Sequence, residues 1–442
     1  MTITTSPWLT PGTPWRNWGR SETAHPAHIA RPTNVDEVIE VVRFARSHDL
    51  TVKPIGAGHS FTAIAATTGI QLDLDQVDGL LGVDGNLVTL AAGTNLHQLP
   101  ALLAPYGLAL ANMGDIDRQT IGGATSTGTH GTGGAFGGLA TQIRAVTLVT
   151  ADGGVLRVSE TENADLLPAA RLGLGALGVL VDVTIECVPA FLLSAVERPE
   201  NIDAVLENWH GATAATDHFE FYVWPHTDTV LSKYNTRLPI DAPRQPVGRF
   251  AGWWEDDFMS NTVLAAKLEV GRAIPRLTPA INRLATRLVG DRAYTDVSHE
   301  VFVSPRRTRF VEMEYAVPFD LVPEIVREVH ALIEKRRWKI SFPIEVRSAA
   351  ADDLWMSTAS GRASGYIAFH RYHREDPTEY FRTIEHIMKT YGGRPHWGKM
   401  HNRDAESLRA AYPRFDDFVA VRDRLDPQRV FGNAYLERVL GA

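Results

Sequence analysis

Pro54-Ile55-Gly56-Ala57-Gly58-His59-Ser60-Phe61-Thr62 follows the β-rich run Thr51-Val52-Lys53, and the rest of the chain is read outward from it. Two glycines one residue apart let a backbone come close to a bulky anionic ligand where a Cβ would stand in the way. A histidine follows at once. Alone, the spacing also suits an ordinary strand-to-loop turn with a satisfied loop histidine, so its neighbours must decide. Upstream, residues 27–31 read as a short strand closed by Pro32; Thr33 and Asn34 offer N-cap oxygens, and Val35, Val38, Ile39, Val42 and Phe44 recur at helical spacing. With residues 51–55 as the next strand, the opening is β-α-β, and the glycine turn sits at a strand's carboxyl end, where α/β layers collect ligands.

Size and charge narrow the partners. A chain of 442 residues suggests two or three domains. Apolar and charged contents of 44% and 22% are those of a soluble globular protein. A net charge of -8 without a dense basic run argues against nucleic acid. Lys335-Arg336-Arg337 ends a helical pattern and reads as a solvated terminus. Cys187 is the one cysteine; it has no intrachain partner, and its apolar surroundings point to packing rather than nucleophilic chemistry. Residues 1–15 show no basic or apolar leader, and the most apolar run, 172–181, is broken by glycines and falls short of the ~20 residues a membrane span needs. A cytoplasmic protein without a membrane span is expected.

Downstream, strand-like runs cover 70–74 and 87–92, a helical pattern covers 96–106 up to Gly107, and 108–113 is again apolar. A second glycine-rich stretch follows: Gly114-Asp115-Ile116-Asp117-Arg118-Gln119-Thr120-Ile121-Gly122-Gly123-Ala124-Thr125-Ser126-Thr127-Gly128-Thr129-His130-Gly131-Thr132-Gly133. Its hydroxyls and bare backbone suit a wall against a large planar or diphosphate ligand better than a linker, because Ile116 and Ile121 interrupt it. Residues 143–150 and 155–158 read as a hairpin around Asp152-Gly153-Gly154, 165–172 as helical, and 179–188 as a strand ending at the boundary residue Pro189.

Beyond Pro189, helical patterns at 202–209, 212–215, 262–288 and 322–334 mix with strand patterns at 218–224, 310–317, 344–347 and 366–370; 239–250 reads as a loop. Several strands carry polar residues at alternate positions, which suggests an α+β layer of antiparallel sheet covered by helices. Pro395-His396-Trp397-Gly398-Lys399-Met400-His401 is a loop near the end.

Taken in order, Gly56-Ala57-Gly58-His59-Ser60, Gly122-Gly123 through Thr127-Gly128-Thr129-His130-Gly131, Gly175-Ala176-Leu177-Gly178, Glu345-Val346-Arg347, His370 and His396-Trp397-Gly398-Lys399 resemble the vanillyl-alcohol-oxidase (PCMH) type of flavoprotein, in its sugar-lactone and alditol oxidase branch. The resemblance implies an α+β protein with an FAD-binding domain over residues 1–189, a substrate-binding cap over 190–390 and a C-terminal segment, 391–442, completing the FAD site. It assigns FAD contacts to Pro54, Ile55, Gly56, Ala57, Gly58, His59, Ser60, Gly114, Asp115, Thr120, Gly123, Thr127, Gly128, Thr129, His130, Leu180 and Lys399. His59 stands where relatives join histidine covalently to the C8 methyl of the flavin, while His130 suits hydrogen bonding along it.

The resemblance also implies catalytic roles for Glu345, Arg347, His370 and Lys399, and Asp115 is added to them as a carboxylate where a polyol oxidase presents a hydroxyl. Hydride removal from a carbinol needs an acceptor for the hydroxyl proton and cations for developing negative charge. Arg347 and Lys399 fit the second need, Glu345 and His370 the first. By spacing alone, Glu345 and Arg347 make a plain surface ion pair on one strand face. Gly114-Asp115 replaces the alanine and serine of alditol-oxidising relatives, and Glu312-Met313-Glu314-Tyr315 and His218-Phe219-Glu220-Phe221 look closer to bacterial gulonolactone or arabinonolactone oxidases and dehydrogenases. The expectation is oxidation of the C2 hydroxyl of a sugar 1,4-lactone by hydride transfer to flavin N5, with O2 (giving H2O2) or another acceptor reoxidising the flavin in a monomer without metal. The rivals are an alditol oxidase acting on a terminal hydroxyl, a flavin-binding sugar sensor without turnover, and, last for want of a nicotinamide fingerprint, a pyridine-nucleotide reductase.

Overall fold

Asn34 opens the first helix, Val35–Ser47, by accepting a hydrogen bond from the Glu37 N–H. Its buried stripe of Val38, Val41, Val42 and Ala45 packs on Val52, Ile70 and Leu72. The computed structural model describes residues 7–248, 252, 261–304 and 306–442; residues 1–6 of the N-terminal stretch and 249–250 of the loop read over 239–250 lie outside it. Strands Leu9–Pro11, His28–Ala30, Ile70–Asp73 and Val52–Ile55 form one sheet in that order, antiparallel in its first pair and parallel thereafter. The β-α-β opening therefore holds, with Ile70–Asp73 inserted between its two strands.

A second sheet, ordered Val155–Ser159, Ile143–Val149, Val179–Glu186, Leu87–Ala91 and Leu80–Asp84, is antiparallel and shares its core with the first through Val149, Val179 and Val181. Cys187 lies buried beside it, and burial pushes its thiol up to about 11, as packing rather than reactivity requires.

The second glycine-rich stretch is more regular than its composition suggests. Ile121–Thr127 is a helix, capped by Thr120 accepting from the Gly123 N–H and ended by Gly128 at φ 83°. Two glycines and hydroxyl residues are poor helix formers. Packing holds it: Gly122 lies so close to Ala92 that an added Cβ would stand 3.0 Å from that residue's Cβ. The hydroxyls of Thr125 and Thr127 donate back to carbonyls of their own helix.

The second layer is an eight-stranded antiparallel sheet ordered Arg292–Val297, Phe191–Asn201, Thr229–Pro239, His218–Val223, Ile344–Ala349, Ser364–Tyr372, Phe310–Pro318 and Arg394–Pro395. Its two longest strands, Phe191–Asn201 and Thr229–Pro239, are absent from the sequence reading, because Pro199 and mixed side chains hide their alternation. The helical pattern over 262–288 divides into Leu264–Ala273 and Thr278–Leu288, since Pro275 cannot continue the first helix.

Period-two alternation gives this sheet two unlike faces. Phe219, Phe221, Met313, Tyr315, Val346, Ile367 and Phe369 point into a core under helices Val322–Arg336 and Thr378–Thr390, where Ile325, Val329, Ile333, Ile384 and Met388 meet them. Each such large side chain contributes about 1.5–3 kcal/mol by burial. The opposite face carries Glu220, Tyr222, Lys233, Glu312, Glu314, Glu345, Arg347 and His370, with Tyr222 paired opposite Glu345 and Glu312 opposite His370.

After its edge strand the chain returns to the first layer. The Phe61 N–H donates to the Gly398 carbonyl at 2.6 Å, the Val52 N–H to that of Val430 at 2.7 Å, and Asn433 Nδ2 to the carbonyls of Ala63, Ile64 and Ala66. The glycine-histidine loop is thus clasped by the C-terminal segment. Among the described residues no helix is long and apolar enough to cross a membrane.

Candidate active site

A narrow cleft of about 110 Å³ runs along the first glycine loop. Pro54, Ile55, Gly56, Ala57, Gly58, His59 and Ser60 line it, facing Thr120, Gly123, Thr127 and Leu180. Among the described residues the N–H groups of Ala57, Gly58, His59 and Ser60 have no acceptor within the protein. Gly58 sits at φ 69° and a Cβ on Gly56 would stand 2.3 Å from Thr120 Oγ1, so the loop is a bare concavity of backbone donors pressed against a helix start. Such a concavity binds diphosphate oxygens. Lys53 closes its floor, donating to the carbonyls of Gly175 and Phe431 at 3.0 Å each. Burial pulls its ammonium down to about 7, against the pull of Asp426.

At His59 and Ser60 the cleft meets a cavity of about 910 Å³, the size of a small-ligand site. Gly114, Asp115, Thr129 and His130 line it from the first layer; Glu345, Arg347, His370 and Lys399 line it with the polar sheet face. Of the residues picked from sequence, Gly128 alone lines neither space and serves as the left-handed helix cap. Neither ring nitrogen of His59 is hydrogen-bonded among the described residues; the ring stacks on Trp18 at 5.4 Å, and burial with Lys399 lowers it to about 4. It is a neutral imidazole with a free lone pair.

The cations are more fully partnered than the sequence suggests. Arg347 donates through Nε to Glu220 at 3.0 Å, pairs through Nη2 with Glu345, and stands 3.5 Å from Asp115. The Glu345–Arg347 pair is real but lies at 7% and 8% exposure, so the surface reading gives way to a buried one. Burial lifts the Glu345 carboxyl, Arg347 opposes it, and Asp115 and Glu220 add to the lift, leaving it at about 8. Asp115 goes the other way: burial is overcome by Arg347 and by Arg306 at 2.9 Å, which hold its carboxyl well below the usual range. Lys399 pairs with Glu312; burial pulls its ammonium down, but Glu312, Glu314 and Asp115 together raise it. His370 donates from Nδ1 to the Pro343 carbonyl at 3.2 Å, leaving Nε2 as the acceptor nitrogen 3.7 Å from Glu312; burial lowers its basicity.

His130, Glu314 and His396 lie close enough to hold a metal ion. Hydrogen bonds account for them instead. His130 stacks on Tyr366 at 3.6 Å, with Nδ1 on the Gly131 carbonyl and Nε2 3.2 Å from Glu314; His396 Nδ1 accepts the Gly398 N–H.

Five residues at this site escape the sequence reading as functional groups: Glu220, Tyr222, Arg306, Glu312 and Glu314. Four are legible in principle, because alternation along His218–Val223 and Phe310–Pro318 sets them on the face that bears Glu345. Arg306 lies in a loop with no pattern to mark it.

An ionisable sheet face that shares a cavity with a bare glycine-histidine loop, together with the family matches that follow, gives the class: an FAD-dependent oxidoreductase acting on a CH–OH donor, α+β and of PCMH type. Residues 183–439 match the D-arabinono-1,4-lactone oxidase family and residues 26–159 the FAD binding domain, so the chain belongs to the D-arabinono-1,4-lactone oxidase family. It is 42% identical over 429 residues to an L-gulono-1,4-lactone dehydrogenase of Mycobacterium tuberculosis, covering 97% of this chain and 99% of that one. It is 36% identical to the L-gulonolactone oxidase of Bos taurus, covering 97% and 98%. The fold is also that of a cholesterol oxidase from Brevibacterium sterolicum, with TM-score 0.83 and 18% identity over 98% of this chain and 97% of the other.

Proposed function

We propose that this protein oxidises the C2 hydroxyl of a sugar 1,4-lactone, giving a 2-keto lactone, with O2 or another acceptor taking up the electrons. FAD supplies the hydride acceptor. The residues fit it: the unpaired N–H groups of Ala57 to Ser60 suit its diphosphate, and Gly114, Thr120, Gly123, Thr127, Thr129, His130 and Leu180 complete the walls. His59, neutral and with neither ring nitrogen hydrogen-bonded among the described residues, is the covalent attachment point.

The observation that carries the reading is that Glu345, Arg347, His370 and Lys399 line one cavity together with His59 and Ser60 of the glycine-histidine loop. Arg347 and Lys399 hold the lactone oxygens and stabilise negative charge as the proton departs. Glu345 accepts that proton at a carboxylate oxygen, and the free Nε2 of His370 accepts a hydrogen bond from a neighbouring hydroxyl. Asp115, fixed between Arg306 and Arg347, orients the guanidinium and stays ionised throughout. The names borne by the relatives in Mycobacterium tuberculosis and Bos taurus support the substrate class. Steady-state assays with L-gulono-1,4-lactone, D-arabinono-1,4-lactone, xylitol and sorbitol test it: a lactone is preferred, and a clear alditol preference overturns the reading.

A further inference from the structure

The phenol oxygen of Tyr222 stands between two carboxyl groups, 3.2 Å from Oε1 of Glu220 and 3.1 Å from Oε1 of Glu345. A phenol owns a single O–H. It donates to one carboxylate, and the other contact is a hydrogen bond only when that carboxyl carries a proton and donates back to the phenol. With both ionised, two sets of lone pairs would face each other in a buried place, where an unsatisfied polar contact is costly. The three groups are complete with one extra proton among them.

The surroundings favour keeping it. Arg347 touches both carboxyls from the Ile344–Ala349 strand, and Asp115 with Arg306 approaches from the loops. Among these five groups there are three carboxylates and two guanidinium ions. Lys233 on Thr229–Pro239 is 4.0 Å from Glu220 and donates to the Val301 carbonyl, while Lys399, in the loop after Arg394–Pro395, and His370, on the strand beside Phe310–Pro318, face Glu312. Burial first, then Glu220 and Glu345, raises the Tyr222 phenol well above its usual range, so it carries its proton throughout.

We propose that Glu345, Tyr222 and Glu220 form a proton-relay unit holding one shared proton, in which Tyr222 passes that proton to Glu220 and leaves Glu345 ionised towards the lactone. This rests on the reading of Glu345 as proton acceptor. As the carbinol C–H leaves as hydride to FAD, the carbon loses two electrons and the cofactor gains them; the O–H bond breaks, its proton goes to Glu345, and the C=O bond forms. The unit then holds two protons, and one passes to water as the product leaves. Tyr222 acts through Glu345 and is a positioning residue.

Two measurements on the FAD-loaded protein test this. In Tyr222→Phe the proton cannot be passed on, so Glu345 stays protonated near neutrality: kcat falls about tenfold or more near pH 6 to 7 yet comes within about twofold of the parent near pH 9, with KM little changed. A packing role gives the same fractional loss at every pH, and that result overturns the relay. Infrared spectra without substrate give the second readout. A protonated-carboxyl C=O band is expected in the parent near pH 7, displaced in Tyr222→Phe and lost in both Glu345→Gln and Glu220→Gln. No band in the parent, or a band that survives Glu220→Gln unchanged, contradicts a shared proton. If no lactone or polyol reduces the flavin, the functional reading fails by itself, and the infrared result still decides the proton.

Discussion

Arg347 Nε donates to Glu220 at 3.0 Å while the same guanidinium pairs with Glu345, so one planar cation orients two carboxyl groups on adjacent strands. A fork of this kind is not replaced by a point charge. Arg347→Lys is expected to lower kcat/KM by about 10²–10³, as loss of a transition-state donor does. Arg347→Met also strands buried carboxylates and lowers stability by about 3–5 kcal/mol. Kinetics and thermal unfolding on the two variants separate these effects; equal kinetics for lysine and arginine contradict the shared-fork geometry.

The covalent link is tested without kinetics. Denatured protein is expected to remain yellow after precipitation, and His59→Ala to release its flavin into the supernatant. Colourless parent protein with free FAD in solution rules out the bond.

The pH dependence follows from Glu345, whose folded carboxyl titrates at about 8, above its ordinary 4.5. The folded state binds more protons between those values, so the stability this group contributes is fully present below about 4.5 and is lost as pH rises through about 8. In the parent the shared proton moves to Glu220, so the rate of flavin reduction stays level across this window, whereas in Tyr222→Phe it rises as the proton leaves. Glu345→Gln removes the stability dependence and lowers the reduction rate by about 10²–10⁴. A stability limb that survives in Glu345→Gln assigns the limb elsewhere.

Lys53 carries the reverse sign. Its folded ammonium titrates at about 7, below the ordinary 10.5, so the unfolded chain binds more protons in that window and stability rises with pH across it. Lys53→Met leaves the carbonyls of Gly175 and Phe431 without their donor and costs about 1–3 kcal/mol. Because those carbonyls belong to the cleft floor and the C-terminal segment, FAD content is expected to fall with stability; full FAD occupancy in a destabilised variant shows that the tie is structural alone.

What the sequence disclosed and what it hid have physical causes. The glycine-histidine loop, the first helix and the polar alternation at Glu345, Arg347 and His370 were legible because each is a local pattern. The helix Ile121–Thr127 was not, since packing on Ala92 rather than propensity makes it. Strands Phe191–Asn201 and Thr229–Pro239 were hidden for the same reason: their pairing partners, not their own residues, hold them extended. The partners of the catalytic cations were only half visible. Glu312 and Glu220 share a face with Glu345 by alternation, but which carboxylate meets which cation depends on cross-strand register, which no single segment contains.

The central claim, that the sheet face bearing Glu345 and Arg347 delivers lactone electrons to FAD, is tested most directly by anaerobic mixing of the holoenzyme with L-gulono-1,4-lactone or D-arabinono-1,4-lactone while the flavin absorbance is followed. The account predicts rapid bleaching in the parent, slowed at least about 10²-fold in Glu345→Gln, and return of the yellow colour once an acceptor is admitted. A flavin that stays oxidised under both lactones, or bleaches equally fast in Glu345→Gln, contradicts it.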